Sequence, residues 1–429
     1  MLRDAFLPAA MAHSREPVFR AVERPVRYSA ARWTPRSLAQ VVAALREGAG
    51  ALREIPAEDL LAAWGDTVAT FLRQGSLERR ALDPPLARLC GLSREGLKAG
   101  LDAVLGGVRR EPAETLLARA RPAPPEVGPV LIVLASNLPG LAVQPLLPAL
   151  LARRPVLLKS PSAEPLFAPA FLTALARREP RLSQALAAAT WTGGDARLEA
   201  PLLEEVGTVL AYGEQKALDD LERRAPGKVV GYGPKTSLAV VGKDADLRET
   251  AEGLARDAAL FDQRGCLSVA AVYTAGDAGA LARKLAEALA DLARRWPPGP
   301  PERTLLAAVQ HLRLESEMRG LWTADLPLRH GTVIVDPQTD FKPSPGLRTV
   351  RVHPLEDLTR LPGLLAPWRG RLQGAALAGK EAWRLEGRLT ELGISRCAAP
   401  GELQSPDATW HNGGIDPLEA LTSPSPPGR

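Results

Sequence analysis

From Pro129 to Val352 the chain alternates short runs rich in Val, Leu and Ala with stretches of helical spacing, and this alternation constrains the fold more than any other feature. Residues 129–134, 155–159, 187–191, 208–212, 228–232, 237–241, 268–275, 332–335 and 349–352 read as strands. Between them, 167–178, 198–205, 247–260 and 278–295 read as amphipathic helices, with another helix ending at Ala152. Strands that alternate with helices build crossover units on parallel sheets. The expected class is therefore α/β. Upstream, residues 35–108 read as helical: Thr34 followed by Pro35 is a cap and first turn, and Leu97, Leu101, Val104, Leu105 and Val108 recur on one face. Proline-rich breaks fall at 121–125 and 297–301, and the tail after Ser423 reads as disordered.

Several classes of protein fit this chain poorly. No charge appears from Val127 to Ala152, a length that could span a membrane, but Pro129, Asn137, Pro139, Gly140, Pro145 and Pro148 interrupt it and make it strand, turn and helix. With 429 residues, 45% hydrophobic and 24% charged, the composition is that of a soluble protein of two or three domains. Only 4% of residues are aromatic, so the cores are aliphatic. The 54 basic and 49 acidic residues give +5, yet the arginines are scattered among acids, which disfavours a nucleic-acid partner. Cys90, Cys266 and Cys397 are too few and too far apart for a disulfide framework, and no export signal is read at the N-terminus, so a reducing cytoplasm is expected. His13, His311, His330, His353 and His411 lack metal-ligand spacing, and no metal is expected.

The common nucleotide motifs are missing. Gly231-Tyr232-Gly233 lacks the third glycine of a dinucleotide fingerprint, and there is neither a phosphate loop nor a Gly-x-Ser-x-Gly elbow. Cys266 stands out instead, in Phe261-Asp262-Gln263-Arg264-Gly265-Cys266-Leu267-Ser268, a polar loop between helix and strand where a thiol would be exposed enough to react. An arbitrary cysteine is more often a small core residue. Asn137, in the Ser136-Asn137-Leu138-Pro139-Gly140 turn, leaves the first parallel strand at its carboxyl end, where ligand groups emerge. It is equally a turn-former. Lys159 ends the next strand and suits a ribose hydroxyl or phosphate.

Taken in order, the Asn137 turn, Lys159, Gly193-Gly194-Asp195, Tyr212-Gly213-Glu214, Gly231-Tyr232-Gly233-Pro234-Lys235-Thr236-Ser237, Gly265-Cys266 and Trp410-His411-Asn412-Gly413-Gly414 resemble the aldehyde dehydrogenase superfamily. Within it the chain is most similar to the long-chain acyl-CoA reductase family, which includes the fatty-acid reductase of bacterial luminescence. The resemblance covers about residues 126–420. It implies an aldehyde-dehydrogenase-like fold with two parallel-sheet domains and a helical N-terminal segment: 1–125 the helical segment, 126–242 the cofactor domain, 243–395 the catalytic domain, and 396–429 returning to the interface.

The resemblance also implies chemistry. Cys266 would be the nucleophile, with Asn137 and the Cys266 N–H as oxyanion donors. Lys159 and Ser162 would lie along the adenosine ribose of NADPH, and Gly193, Gly194, Tyr212, Gly213 and Gly233 would line the cofactor groove. Oxidising relatives carry a water-activating Glu where Gly231 begins the matching stretch, so reduction of an acyl-CoA or acyl-carrier thioester is favoured over oxidation to acid. Those oxidising relatives often carry a second Glu, against the ribose, where Ser162 stands; its loss admits a 2′-phosphate, although Glu164 is close by. Glu214 replaces a Ser beside the diphosphate. Arg264 or a helix end would lower the Cys266 pKa. Tyr232 and Lys235 would shape the turn under the nicotinamide, and His411 reads as part of a polar turn. CoA-dependent aldehyde oxidation and a non-catalytic acyl-holding subunit remain alternatives, as do a homo-oligomer and a reductase complex.

Overall fold

The computed structural model describes residues 1–423 apart from Arg24 and Asn137, so the reading of the tail after Ser423 lies outside the described residues. The chain opens with an antiparallel hairpin, β1 (Val18–Val22) and β2 (Tyr28–Arg32), absent from the sequence reading because no apolar alternation marks its half-exposed strands. Six helices follow: α1 (Pro35–Glu47), α2 (Ala49–Glu54), α3 (Ala57–Leu72), α4 (Leu77–Cys90), α5 (Arg94–Gly106) and α6 (Arg110–Leu117). The start of α1 is a reciprocal cap. The Thr34 hydroxyl accepts from the Ser37 N–H at 3.1 Å and the Ser37 hydroxyl accepts from the Thr34 N–H at 2.9 Å, which satisfies two donors that a helix end would otherwise orphan.

The alternation then builds a first sheet from β3 (Val130–Val133), α7 (Val143–Leu151), β4 (Val156–Ser160), α8 (Phe167–Arg178), β5 (Leu186–Thr190), α9 (Ala196–Glu205), β6 (Thr208–Tyr212), α10 (Gln215–Arg224) and β7 (Lys228–Tyr232). Its five strands are parallel in the order β5-β4-β3-β6-β7. Successive side chains feed opposite layers. Leu131, Leu157 and Val209 join a core with α1, α9 and α10, while Ile132, Leu158 and Leu210 join one with α3 to α8. Both faces are covered, which is why these strands read as continuous apolar runs.

The second sheet is built from β8 (Thr236–Val241), α11 (Leu247–Ala259), β9 (Val269–Thr274), α12 (Ala278–Arg295), α13 (Arg303–Met318), β10 (Thr332–Val335), β11 (Thr349–Pro354), α14 (Leu361–Leu365), β12 (Leu372–Ala378), α15 (Lys380–Trp383), α16 (Glu386–Glu391) and β13 (Arg396–Ala398). The six strands are again parallel, in the order β10-β11-β9-β8-β12-β13. Residues 233–235 join β7 to β8, so the carboxyl edge of the first sheet meets the amino edge of the second. The chain then returns across this junction. The Gln144 amide donates to the Pro406 carbonyl at 3.2 Å, Arg154 donates to the Leu421 carbonyl at 2.7 Å, and α17 (Pro417–Thr422) buries Leu418 and Leu421 in the α3-to-α8 core.

The loop from α11 to β9 is held in an unfavourable conformation. Phe261, Asp262 and Gln263 have φ of 52°, 52° and 66°, a left-handed run that costs an L-residue roughly 1–2 kcal/mol each. Tertiary contacts hold it there. The Phe261 ring packs where Gly100 of α5 lacks a side chain; a Cβ on Gly100 would stand 2.3 Å from it. Asp262 accepts from buried Arg348 at 2.7 and 3.1 Å and from the Gly299 N–H at 2.9 Å. The Gln263 amide donates to the carbonyls of Val269 and Thr349 and accepts from the Thr349 N–H at 2.7 Å.

Two stability predictions follow from these buried carboxylates. Arg348→Met removes the countercharge of Asp262 and is expected to destabilise the fold by about 3–5 kcal/mol in urea unfolding; a loss below about 1 kcal/mol would contradict the pairing. Glu164 is buried and accepts from the N–H groups of Leu166 and Phe167 at the start of α8, and burial pushes its carboxyl up to about 8. The folded state thus holds the proton more tightly than the unfolded chain, and stability falls as pH rises from the ordinary carboxylate range towards 8. Glu164→Gln should remove that slope. Its stability relative to the native protein is expected to rise from pH 5 to pH 8.5, and a constant difference would refute the assignment.

Candidate active site

The carboxyl edge of the first sheet assembles most of the residues singled out in the sequence. Lys159 is the penultimate residue of β4, paired with Val133 of β3 and Ala189 of β5. It is 8% exposed and forms no hydrogen bond or ion pair among the described residues; its ammonium stands 5.8 Å from the centroid of the Trp191 ring. Burial holds its pKa below the usual lysine value. The β5-to-α9 turn gives this ammonium room: a Cβ on Gly193 would stand 3.6 Å from Nζ, and Gly194 has φ +84°, a region that glycine adopts without strain. Glu199, the nearest acid to act on Lys159, is occupied by the Trp191 indole N–H at 2.8 Å and Arg224 at 2.7 Å.

Ser162 is exposed in the turn after β4. Glu164, the carboxylate that clouded this position in the sequence, is turned inward as the α8 cap. A buried ammonium with no hydrogen bond or ion pair among the described residues, beside a turn of two glycines, fits the phosphorylated ribose of a dinucleotide. Gly213 follows β6 and donates to the Tyr232 carbonyl at 3.3 Å, and Gly233 follows β7. Glu214 stands at the N-cap of α10 without a capping bond, exposed; its charge disfavours a diphosphate at that helix end.

Cys266 lies on the opposing amino edge of the second sheet, between the left-handed run and β9. The Ser237 hydroxyl, at the start of β8, donates to the Cys266 carbonyl at 2.7 Å. Cys266 is half-buried rather than exposed, because it packs on the aliphatic layer of α11 and α12. Burial pushes its thiol up to about 11, against the pull of its own N–H, the Lys235 ammonium and the Leu267 N–H. Among the described residues, no aspartate or glutamate acts on it. Tyr212 faces the thiol from the first sheet, stacked on Tyr232 with centroids 4.5 Å apart and hydrogen-bonded to Asn412, which in turn accepts from Gln373 at 2.7 Å. A narrow crevice of mixed polarity opens beside this stack, lined among others by Pro145, Leu210, Tyr232, Trp410, Asp407 and Asn412.

Arg264 is directed to the main chain of another segment. Its guanidinium donates to the carbonyls of Cys90 and Gly91, at 2.9 Å for Gly91, because the left-handed run turns it towards the α4–α5 connection. The Lys235 charge, on a residue read as part of a turn, acts on Cys266 to lower its pKa, but less than burial raises it. Ser237 and Asn412 were also missed as site residues, although both lie in motifs that the sequence singled out. Asn137 lies outside the described residues, on the connection after β3. His411 is 3.5 Å from Asp416, whose carboxylate also caps α17. Cys90 and Cys397 are half-buried, and burial raises both thiols. Among the described residues there is no cluster of metal-ligating side chains and no helix long and apolar enough to cross a membrane.

A family model described as "Acyl-CoA reductase (LuxC)" matches residues 70–423. The long-chain acyl-protein thioester reductase of Aliivibrio fischeri is 26% identical over 235 residues, covering 53% of this chain and 49% of that protein. The matches to relatives of this name span about half of their length or less. Among solved structures, aldehyde dehydrogenase 21 from Physcomitrella patens superimposes with a TM-score of 0.76 at 14% identity, over 98% of this chain and 96% of that one. The NADP-dependent glyceraldehyde-3-phosphate dehydrogenase of Bacillus halodurans, complexed with NADP, gives 0.68 at 16% identity, over 90% and 88%. The fold is thus aldehyde-dehydrogenase-like, and by a match that spans most of its length the chain belongs to the acyl-CoA reductase (LuxC) family.

Proposed function

We propose that the protein reduces a fatty acyl thioester to the aldehyde with NADPH, the acyl group passing through Cys266. One observation carries the reading: a half-buried thiol at the junction of two sheets, on which no carboxylate among the described residues acts. The family description, and the thioester reductase names of the relatives, support the substrate class. The Cys266 thiolate attacks the thioester carbonyl, the new S–C bond forms, and the donor leaves as its thiol after taking a proton. Asn137 and the Cys266 N–H hold the oxyanion, each such donor being worth roughly 3–4 kcal/mol of barrier. Bound NADPH supplies a hydride to the acyl carbon. The S–C bond then breaks, the aldehyde departs, and the thiolate is regenerated. With no carboxylate at the thiol, hydrolysis does not compete with reduction.

In this reading residues 126–242 hold the cofactor and 243–395 the nucleophile. Lys159, Ser162, Gly193 and Gly194 take the adenosine ribose and its 2′-phosphate, and Tyr212, Gly213 and Gly233 line the groove towards Cys266. The donor is CoA or an acyl protein, since both present the same thioester. A cytoplasmic setting suits three unpaired thiols.

Mixing the protein with NADPH and acyl-CoAs of graded length is expected to release CoA and oxidise NADPH in equal amounts. Cys266→Ala abolishes both and Cys90→Ala neither; absence of CoA release from every donor would overturn the reading. Ser162→Glu sets a carboxylate against the 2′-phosphate and is expected to lower the NADPH-to-NADH affinity ratio by about tenfold in tryptophan-fluorescence titrations. An unchanged ratio would place the phosphate elsewhere.

A further inference from the structure

We propose that the exposed face of α13 is a self-association surface, on which a second copy of this chain packs its own α13 antiparallel about a two-fold axis. This association is independent of the reductase reading.

The first ground is the way α13 is held. A helix on the surface of a soluble protein ordinarily buries its apolar stripe, yet of the 16 residues of α13 only Val309 and Ser316 are buried. Polar bonds fix the inner face instead. Arg313 donates to the Thr332 hydroxyl and to the carbonyls of Leu326 and Gly331, at 2.8, 2.8 and 2.6 Å, and so clamps the helix to the start of β10. The opposite face carries Ala307, His311, Leu314 and Met318, all exposed and at the alternating four- and three-residue spacing of a coiled-coil seam. Leu314 and Met318 are 54% and 89% exposed, and Trp322, just beyond the helix, is 38% exposed. Among the described residues seven large hydrophobic side chains are exposed, and three of them fall in this one stretch, so the patch is a cluster and not the scattered apolar surface that needs no explanation.

The second ground is charge. Arg303 opens α13 and Glu317 stands near its end, about four turns further on, so both flank the seam on the same side. Both are exposed, and neither forms an ion pair or a side-chain hydrogen bond among the described residues, whereas Glu315 on the other flank is met by Arg319 at 3.7 Å. A two-fold pairing sets residue i against j and j against i. With the axis at Gln310, Arg303 of each copy meets Glu317 of the other, and Leu314 lies between Thr304 and Ala307 of the other helix. Met318 and Trp322 carry the contact past its first turn. A parallel pairing would set Arg303 against Arg303 and Glu317 against Glu317, like charges that repel. The unpaired charges therefore select the antiparallel arrangement. One helix pair about 24 Å long falls at the small end of specific interfaces, so the dimer is expected to form in the micromolar range and not as a permanent assembly.

Sedimentation velocity of the full chain from about 1 to 200 µM tests this without substrate or cofactor. A concentration-dependent rise from monomer to dimer is expected. Leu314→Glu and Met318→Glu are each expected to weaken the dimer at least about tenfold, and Arg303→Glu, which sets two carboxylates together at each end of the pair, by about tenfold. Arg303→Glu combined with Glu317→Arg is expected to return within about threefold of the native constant, a rescue that a folding defect would not show. A monomer at every concentration would overturn the proposal, as would a dimer that Leu314→Glu and Arg303→Glu leave unchanged, since it would form through another face. An Arg303→Glu defect that the exchanged pair does not rescue would overturn the antiparallel pairing. The measurement involves no turnover, so each of these results leaves the reductase reading as it stands.

Discussion

The geometry of the site depends on three consecutive residues held where the backbone does not favour them. Phe261, Asp262 and Gln263 all lie in the left-handed region, and nothing local compensates for that. What compensates is tertiary: the ring of Phe261 against α5, the buried Arg348 on Asp262, and a Gln263 amide bonded on both sides to β9 and β11. These contacts draw on both halves of the chain. Cys266 therefore takes its place only once the helical segment and the second sheet are packed together, and Arg264 ties the same loop to the α4–α5 connection. Strain of this kind persists only where the surroundings over-determine it, which is common at reacting groups.

Two sheet edges of opposite polarity meet at the site. The carboxyl ends of β4, β5, β6 and β7 present Lys159, the Gly193–Gly194 turn, Tyr212 and Tyr232, while the amino ends of β8 and β9 present Lys235, Ser237 and Cys266. A connection of residues 233–235 brings these edges together. The C-terminal segment closes the side of this junction through Trp410, Asn412 and Gly413.

Much of this was legible because buried parallel strands carry apolar residues on both faces. The segments Thr208–Tyr212 and Thr332–Val335 were located to the residue for that reason. The hairpin of β1 and β2 was not, since its strands are half exposed and their apolar residues do not alternate with polar ones. Lys159, Ser162 and Gly193 emerged at the strand ends where they were expected, because the end of a strand is itself a sequence signal. Where the Arg264 guanidinium goes was not legible, because it is set by the direction of a loop in space, and a left-handed run reverses what sequence proximity suggests. The exposure of Cys266 failed in the same way, since a polar loop can still be pressed against an aliphatic layer.

Transfer of the acyl group to Cys266 is tested most directly by mass spectrometry of the protein after exposure to a long-chain acyl-CoA. A mass increase of one acyl group on the Cys266 peptide, cleared when NADPH is added, is the expected result. An unmodified Cys266, or an adduct that NADPH leaves in place, would contradict it.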